Sequence, residues 1–333
     1  MFGKFMNNYL YRKSGKGDYT KEDLPSTRGQ LFRETLRTRL SGLMRLNLLY
    51  MLAWLPAMLV IAYHVVALYS VLMQLGDLSA QLTTGTLLAA DFATQQAMVT
   101  DSLKALAMNG LMLLVPCLAL TGPFTAGLSF ITRNWSRDEH AFIWSDYKDA
   151  VKENWKQALA TSAITGFVPL VMYVCWAFYG ELSKTNTLFI LPQVLTLTLG
   201  TGWLMSLMYT YPMMVTYRLR YRDLLRNSLL LTIGRLPATL GLKLLSTVPM
   251  LIAAAVAVFT PYMHWALAAV FLYYMIFGYA LSRFVGASYV NAVFDKYINV
   301  KIEGAQVNRG LYTEVDDDDD DEPADAPQAD DQD

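Results

Sequence analysis

Long apolar blocks alternate with short charged stretches along this chain. Five blocks contain no Asp, Glu, Lys or Arg: 46–76, 105–132, 157–180, 185–217 and 244–282. About 20 apolar helical residues cross roughly 30 Å of hydrocarbon, so each block is long enough to span a bilayer. The last block is too long for one helix and carries a turn signal at Thr260-Pro261-Tyr262-Met263, which divides it into two spans joined by a tight hairpin. The fourth block reads either as one long tilted helix or as an apolar outer loop around Pro192 followed by a helix from about Val194. The expected spans are 47–75, 105–132, 157–180, 194–217, 244–260 and 264–284, inside a membrane domain over 46–300. A basic N-terminal segment, 1–45, and an acidic tail, 301–333, flank it. The expected class is all-α: a polytopic bundle of six transmembrane helices with cytoplasmic amphipathic helices.

Between the blocks the period changes. Over residues 28–45, Leu31, Leu36, Leu40, Leu43 and Met44 are set against Arg28, Arg33, Arg37, Arg39 and Arg45, which predicts a basic helix at the headgroup level. Trp144, Tyr147, Val151 and Trp155 recur at spacings of 3, 4 and 4, one face of a helix. That helix also carries Asp146, Asp149 and Glu153, so a partner protein suits it as well as lipid does. Residues 77–104 read as a polar outer loop, with a surface helix expected over Asp91 to Lys104. Residues 1–27 are expected to hold an interfacial segment with Phe2, Phe5, Met6, Tyr9 and Leu10 on its apolar side, then a turn at Gly15-Lys16-Gly17. Nothing there resembles the apolar core of a signal peptide, so the first span is expected to direct its own insertion.

An internal repeat is expected on top of this pattern. Each outward span carries a proline: Pro56, Pro169 and Pro249. Tyr147-Lys148-Asp149-Ala150-Val151-Lys152 aligns with Tyr221-Arg222-Asp223-Leu224-Leu225-Arg226 ahead of the second and third of them. The reading is three tandem units, each an amphipathic helix followed by a two-span hairpin.

Charge sets the orientation. The segments assigned to the cytoplasm hold 25 of the 27 basic residues, and the outer loops hold Lys104 and Lys184. This positive-inside distribution puts both termini in the cytoplasm. From Asp316 to Asp333 there are eleven acidic residues and no basic one, a composition expected to be disordered. Arg218, Arg220, Arg222 and Arg226 are the expected contacts for anionic lipid or for that tail.

Composition adds mainly exclusions. Hydrophobic residues make up 54% of the chain and charged residues 17%, unlike a soluble domain. Cys117 and Cys175 both fall in apolar blocks and read as small hydrophobes, with no disulfide framework. No ionisable acid or base is expected in the middle of a span, and His64, His140 and His264 stand apart from one another. No catalytic residue, metal site, cofactor motif or nucleic-acid-binding pattern is recognised. Aromatic residues at the outer ends, such as Tyr63, Tyr69, Trp176 and Trp265, read as an interfacial belt, with sugar stacking as the alternative. The small residues at Gly122, Pro123, Thr125 and Gly127 read as a helix-packing motif. The partner-binding candidates are Asp138, Glu139, His140, Trp144, Asp146, Tyr147 and Trp155.

Gly122-Pro123-Phe124-Thr125-Ala126-Gly127-Leu128, followed by Arg133-Asn134-Trp135-Ser136-Arg137-Asp138-Glu139-His140 and Phe142-Ile143-Trp144-Ser145-Asp146-Tyr147, resembles the YesL-like family of bacterial membrane proteins. Ser14-Gly15-Lys16-Gly17 and Leu46-Asn47-Leu48-Leu49-Tyr50 fit the same pattern, and the resemblance extends over about residues 1–300. The long outer loop and the Asp-rich tail depart from it. The family has no established enzymatic activity, and its members resemble companions of carbohydrate ABC importers in Gram-positive bacteria. The resemblance therefore implies an accessory protein bound to importer permease subunits in the cell membrane. A stand-alone oligosaccharide or small-solute transporter and a membrane scaffold or sensor are the rival expectations. The acidic-Ala-Ala and Asp-Gly coupling run of a core permease is absent from 133–156 and 218–243.

Overall fold

The charge-free blocks fold as helices, because a backbone in hydrocarbon must satisfy its own hydrogen bonds. In the computed structural model the described residues are 24–86 and 88–312. The expected interfacial segment, the Gly15-Lys16-Gly17 turn and the acidic tail beyond Val315 lie outside them. Helices follow in the order α1 (Arg28–Thr83), α2 (Ala89–Trp135), α3 (Ser145–Ser183), α4 (Ile190–Thr216), α5 (Tyr221–Gly234), α6 (Leu236–Phe259), α7 (Met263–Tyr273) and α8 (Tyr279–Tyr297), with a π-turn at Tyr274–Gly278 joining the last two. Six of these helical stretches are long and apolar enough to cross a membrane, so the protein is an all-α, multi-pass bundle. Their large apolar side chains face outward through the middle of the spans, as with Leu59 at 71% exposed and Val66 at 67%, because lipid is the solvent there.

Several boundaries differ from the sequence reading. The first helix starts at Arg28, so the basic stretch 28–45 is continuous with the span rather than a separate surface helix. A capping box at Thr27 and Gln30 starts it by occupying the first free amides. At 56 residues, α1 is about 84 Å long, far more than the ~30 Å of hydrocarbon. It continues to Thr83, and α2 starts at Ala89. The polar outer "loop" is thus a helical hairpin, with Leu78 and Val99 buried in it. Charged residues cost a helix little once it has left the bilayer, so they did not end it. Residues 145–156 likewise form the first turns of α3. Only the third unit keeps a separate amphipathic helix, α5, which breaks from α6 at Arg235. Prolines also occur in the returning helices, at Pro116, Pro123 and Pro212, so proline alone does not mark a repeat.

Tight packing concentrates at the end of the bundle where Pro25 and Tyr312 meet. One core joins α1, α2 and α8 through Leu43, Leu46, Leu128, Ile131, Trp135 and Phe284. A second joins α4, α5 and α8 through Tyr209, Met213, Leu224, Val290, Val293 and Phe294. The α2–α3 crossing is close because it is lined with small residues. A Cβ on Gly122 would lie 2.1 Å from Ser162 Oγ and 2.3 Å from the Ala158 carbonyl. Ser162 Oγ donates across the same contact to the Ala119 carbonyl at 2.6 Å. Close backbone approach is how membrane helices gain packing energy without a hydrophobic drive between them.

The π-turn has an identifiable partner. Asn47, fully buried in α1, donates through Nδ2 to the carbonyls of Tyr274 and Met275 at 2.9 and 2.8 Å. Its Oδ1 accepts from the Ala280 amide at 2.9 Å. One side chain thus serves three backbone groups that the irregular turn leaves available.

Candidate functional site

The stretch expected to bind a partner divides into a buried junction and an exposed face. After α2 ends, Asp138 takes a left-handed conformation, φ 56°, which turns the chain back. Glu139 then lies under three guanidiniums: Arg133 Nη1 at 3.3 Å, Arg137 Nε at 3.0 Å and Arg309 Nε at 3.4 Å. Burial holds the Arg133 guanidinium below its ordinary pKa, and the Arg137 charge acts in the same direction while Glu139 opposes both. Asn291 of α8 donates to Ser136 Oγ at 2.5 Å. Asp295, also in α8 and buried, pairs with Arg28 at the start of α1 and accepts from Asn299 Nδ2 at 2.6 Å and the Asn308 amide at 3.2 Å. The Tyr312 amide donates to the Pro25 carbonyl at 3.0 Å. These bonds tie α1, the 136–140 turn, α8 and the 302–312 strap into one unit. Glu139 therefore works inside the protein, and its carboxylate is already committed to internal arginines.

Tyr147 belongs to the core as well. It is 4% exposed, its ring abuts Gly127, and its hydroxyl donates to the Phe124 carbonyl at 3.0 Å. Burial raises its pKa far above the usual phenol range. The helical stripe drifts by about 40° for each step of four residues, so Trp155 stands about 80° round the helix from Tyr147. That rotation leaves Tyr147 and Val151 against α2 while Trp155 turns outward, 48% exposed. Trp144, just before α3, is 69% exposed and Phe142 is 63% exposed. His140 stands edge-on to Phe142 at 4.6 Å. Asp146 is spent locally: Oδ2 accepts the Phe142 amide at 2.8 Å and Oδ1 the Ser145 hydroxyl at 3.0 Å, which fastens the start of α3. Asp149 and Glu153 are exposed and form no ion pair among the described residues. What remains available is a face of Phe142, Trp144 and Trp155, with Lys156 Nζ 5.7 Å from the Trp155 ring and the exposed Asp138 and His140 in the preceding turn.

The packing residues sit at interfaces. Gly127 faces Val151 and Tyr147, and Thr125 Oγ1 lies 2.8 Å from the Tyr50 hydroxyl across the α1–α2 contact. Pro123 is half-buried within α2. In α4, Gly200 meets Met172, whereas Gly202 meets nothing within 4 Å. Arg218, Arg220, Arg222 and Arg226 are all exposed, while α5 turns Leu224, Ser228 and Thr232 inward. His64 packs on Gly110, with Nδ1 2.8 Å from the Val60 carbonyl. Among the described residues no cluster of His, Cys, Asp or Glu could hold a metal ion.

Three features had no local signal in the sequence. Glu139 turns back onto Arg133 and Arg137 only because of the left-handed Asp138, and its third arginine, Arg309, is far along the chain. Asn47 read as one polar residue opening a span. Lys243 and Arg283 marked the ends of the last block, yet Lys243 lies within α6 and both line a cavity.

Residues 105–176 match the family described as a protein of unknown function, DUF624. The matched stretch comprises α2 from Ala105 and α3 to Trp176, the close-packed hairpin that carries the exposed aromatic face. No curated protein and no solved structure matches the chain.

Proposed function

We propose that this chain is a non-enzymatic accessory membrane protein that binds the permease subunits of a carbohydrate ABC importer. The resemblance to YesL-like proteins, which carry DUF624, supports the partner class. The observation that carries the reading is the exposed face of Phe142, Trp144 and Trp155. Exposed aromatic side chains gathered on one rigid surface are the residues that protein recognition favours. The face sits on a helix that is fixed to α2 and, through the Glu139 junction, to α8, so docking costs little ordering entropy. Replacing both Trp144 and Trp155 with Ala should cut co-purification of the permease subunits in mild detergent at least about tenfold, roughly one lost hot spot, without lowering the melting temperature. Undiminished co-purification would remove the face from the account.

The proposed location is the bacterial plasma membrane, with both termini in the cytoplasm and the arginine row of α5 against anionic headgroups. The distribution of basic residues supports this orientation. With Cys117 and Cys175 replaced by Ser, a cysteine at Asn308 should resist an impermeant maleimide added to intact cells, and one at Thr185 should react. The reverse pattern would invert the topology.

A further inference from the structure

Most of the polar side chains of α6 fall on one stripe. Thr239, Lys243 and Ser246 recur at spacings of 4 and 3 and share a face. Thr239 is buried and lies 2.9 Å from the Tyr209 hydroxyl, which directs this stripe inward. Across from it, α8 brings Tyr279, Ser282 and Arg283, again on one face. Between the stripes is a cavity of about 250 Å³, completed by Tyr50 and Trp54 of α1 and Ser129 of α2.

The electrostatics of this cavity are one-sided. Lys243 and Arg283 both line it, and no carboxylate does. Neither cation forms an ion pair among the described residues. Arg283 lies over the Tyr211 ring at 5.3 Å, which holds the guanidinium in place without neutralising it. Two further donors are unspent. Ser129, 1% exposed, has a hydroxyl with no hydrogen-bond partner, and the buried Trp54 Nε1 has none either. Two cations and unused donors gathered in a site of low dielectric repel and remain desolvated unless an anion joins them.

We infer that this cavity binds an oxyanion of the phosphate type, carried by a phospholipid headgroup or by a soluble phosphate compound. A lysine point charge and an arginine fork together suit a group with several oxygen acceptors and up to two negative charges. Hydroxyl and indole donors supply the remaining hydrogen bonds. Trp54 stacks on Tyr279 at 5.3 Å and 25°, and this wall takes the glycerol or sugar body attached to the phosphate. The inference stands apart from the docking face, which lies on α3.

The test uses the full chain purified in mild detergent, with two probes. Inorganic phosphate is compared with sodium chloride at equal ionic strength by thermal melting. Phosphatidylglycerol retained after detergent washing is counted by native mass spectrometry. A soluble source predicts stabilisation by phosphate, and a lipid source predicts one retained phosphatidylglycerol per chain. In either case K243Q and R283Q should weaken binding at least about tenfold, while K243R keeps it within about threefold. Binding of neither probe to the native chain, or equal binding by the Gln variants, overturns the inference. Should the Gln variants fail to fold, Ser129→Ala, which removes a hydroxyl with no other partner, must weaken binding severalfold, and unchanged binding there overturns it as well.

Discussion

An Asn47→Ala chain should unfold well below the native protein, losing about 3 kcal/mol, since each buried polar group left unsatisfied costs roughly 1–3 kcal/mol. The side chain serves the carbonyls of Tyr274 and Met275 and the amide of Ala280, all at 2.8–2.9 Å. Alanine serves none of them, and the site is fully buried. Part of the loss is recovered if the π-turn anneals to an α-helix, but that rotates Tyr274 by about 100° relative to Tyr279. Both tyrosines line the cavity between α6 and α8, so its shape should change too. The neighbouring Leu48→Ala, at a position 52% exposed, should change the melting temperature little. Melting curves in detergent followed by tryptophan fluorescence compare the two, and equal curves would show that the π-turn holds itself.

Gly122→Ala should be nearly as damaging. Its methyl group would stand 2.1 Å from Ser162 Oγ and 2.3 Å from the Ala158 carbonyl, and a backbone atom cannot swing aside. The α2–α3 contact must open, at a cost of about 3 kcal/mol, the upper range for overpacking. Gly202→Ala is the matched comparison, because nothing lies within 4 Å of that position. There the gain in helix propensity, up to about 1 kcal/mol, should leave stability equal or slightly higher. Melting both variants in the same detergent checks the contrast, and similar curves would mean that the α2–α3 crossing is looser than the structure has it.

The spans were legible in the sequence because bilayer burial is severe: a charge-free block of sufficient length has few soluble explanations. Helix ends were less legible. Taking each charged residue as the end of a span works only where the bilayer is the reason for the charge. At Arg45 and Asp77 the helix simply continues into water, so 28–45 and 77–83 belong to α1. The same rule hid Lys243, a cation carried inside α6. Periodicity identified the Trp144–Trp155 helix but could not say which residues would meet α2. The drift of an α-helix against a four-residue step separated Tyr147 from Trp155. Glu139 was read as an available acid because the turn that brings it back onto Arg133 and Arg137 left no periodic signal, and its third arginine, Arg309, is distant in sequence. Long-range ion networks leave no local pattern, and Asn47 is the same problem in miniature.

The central claim, that the face on α3 meets a permease, is tested most directly by site-specific photo-crosslinking in intact cells. A photoreactive amino acid would replace Trp144, Trp155 or, as the comparison, Trp265 at the opposite end of the bundle, which is 73% exposed. The account predicts crosslinks to importer permease subunits from positions 144 and 155 and none from 265. Capture from 265 alone, or no permease captured from 144 and 155, would contradict it.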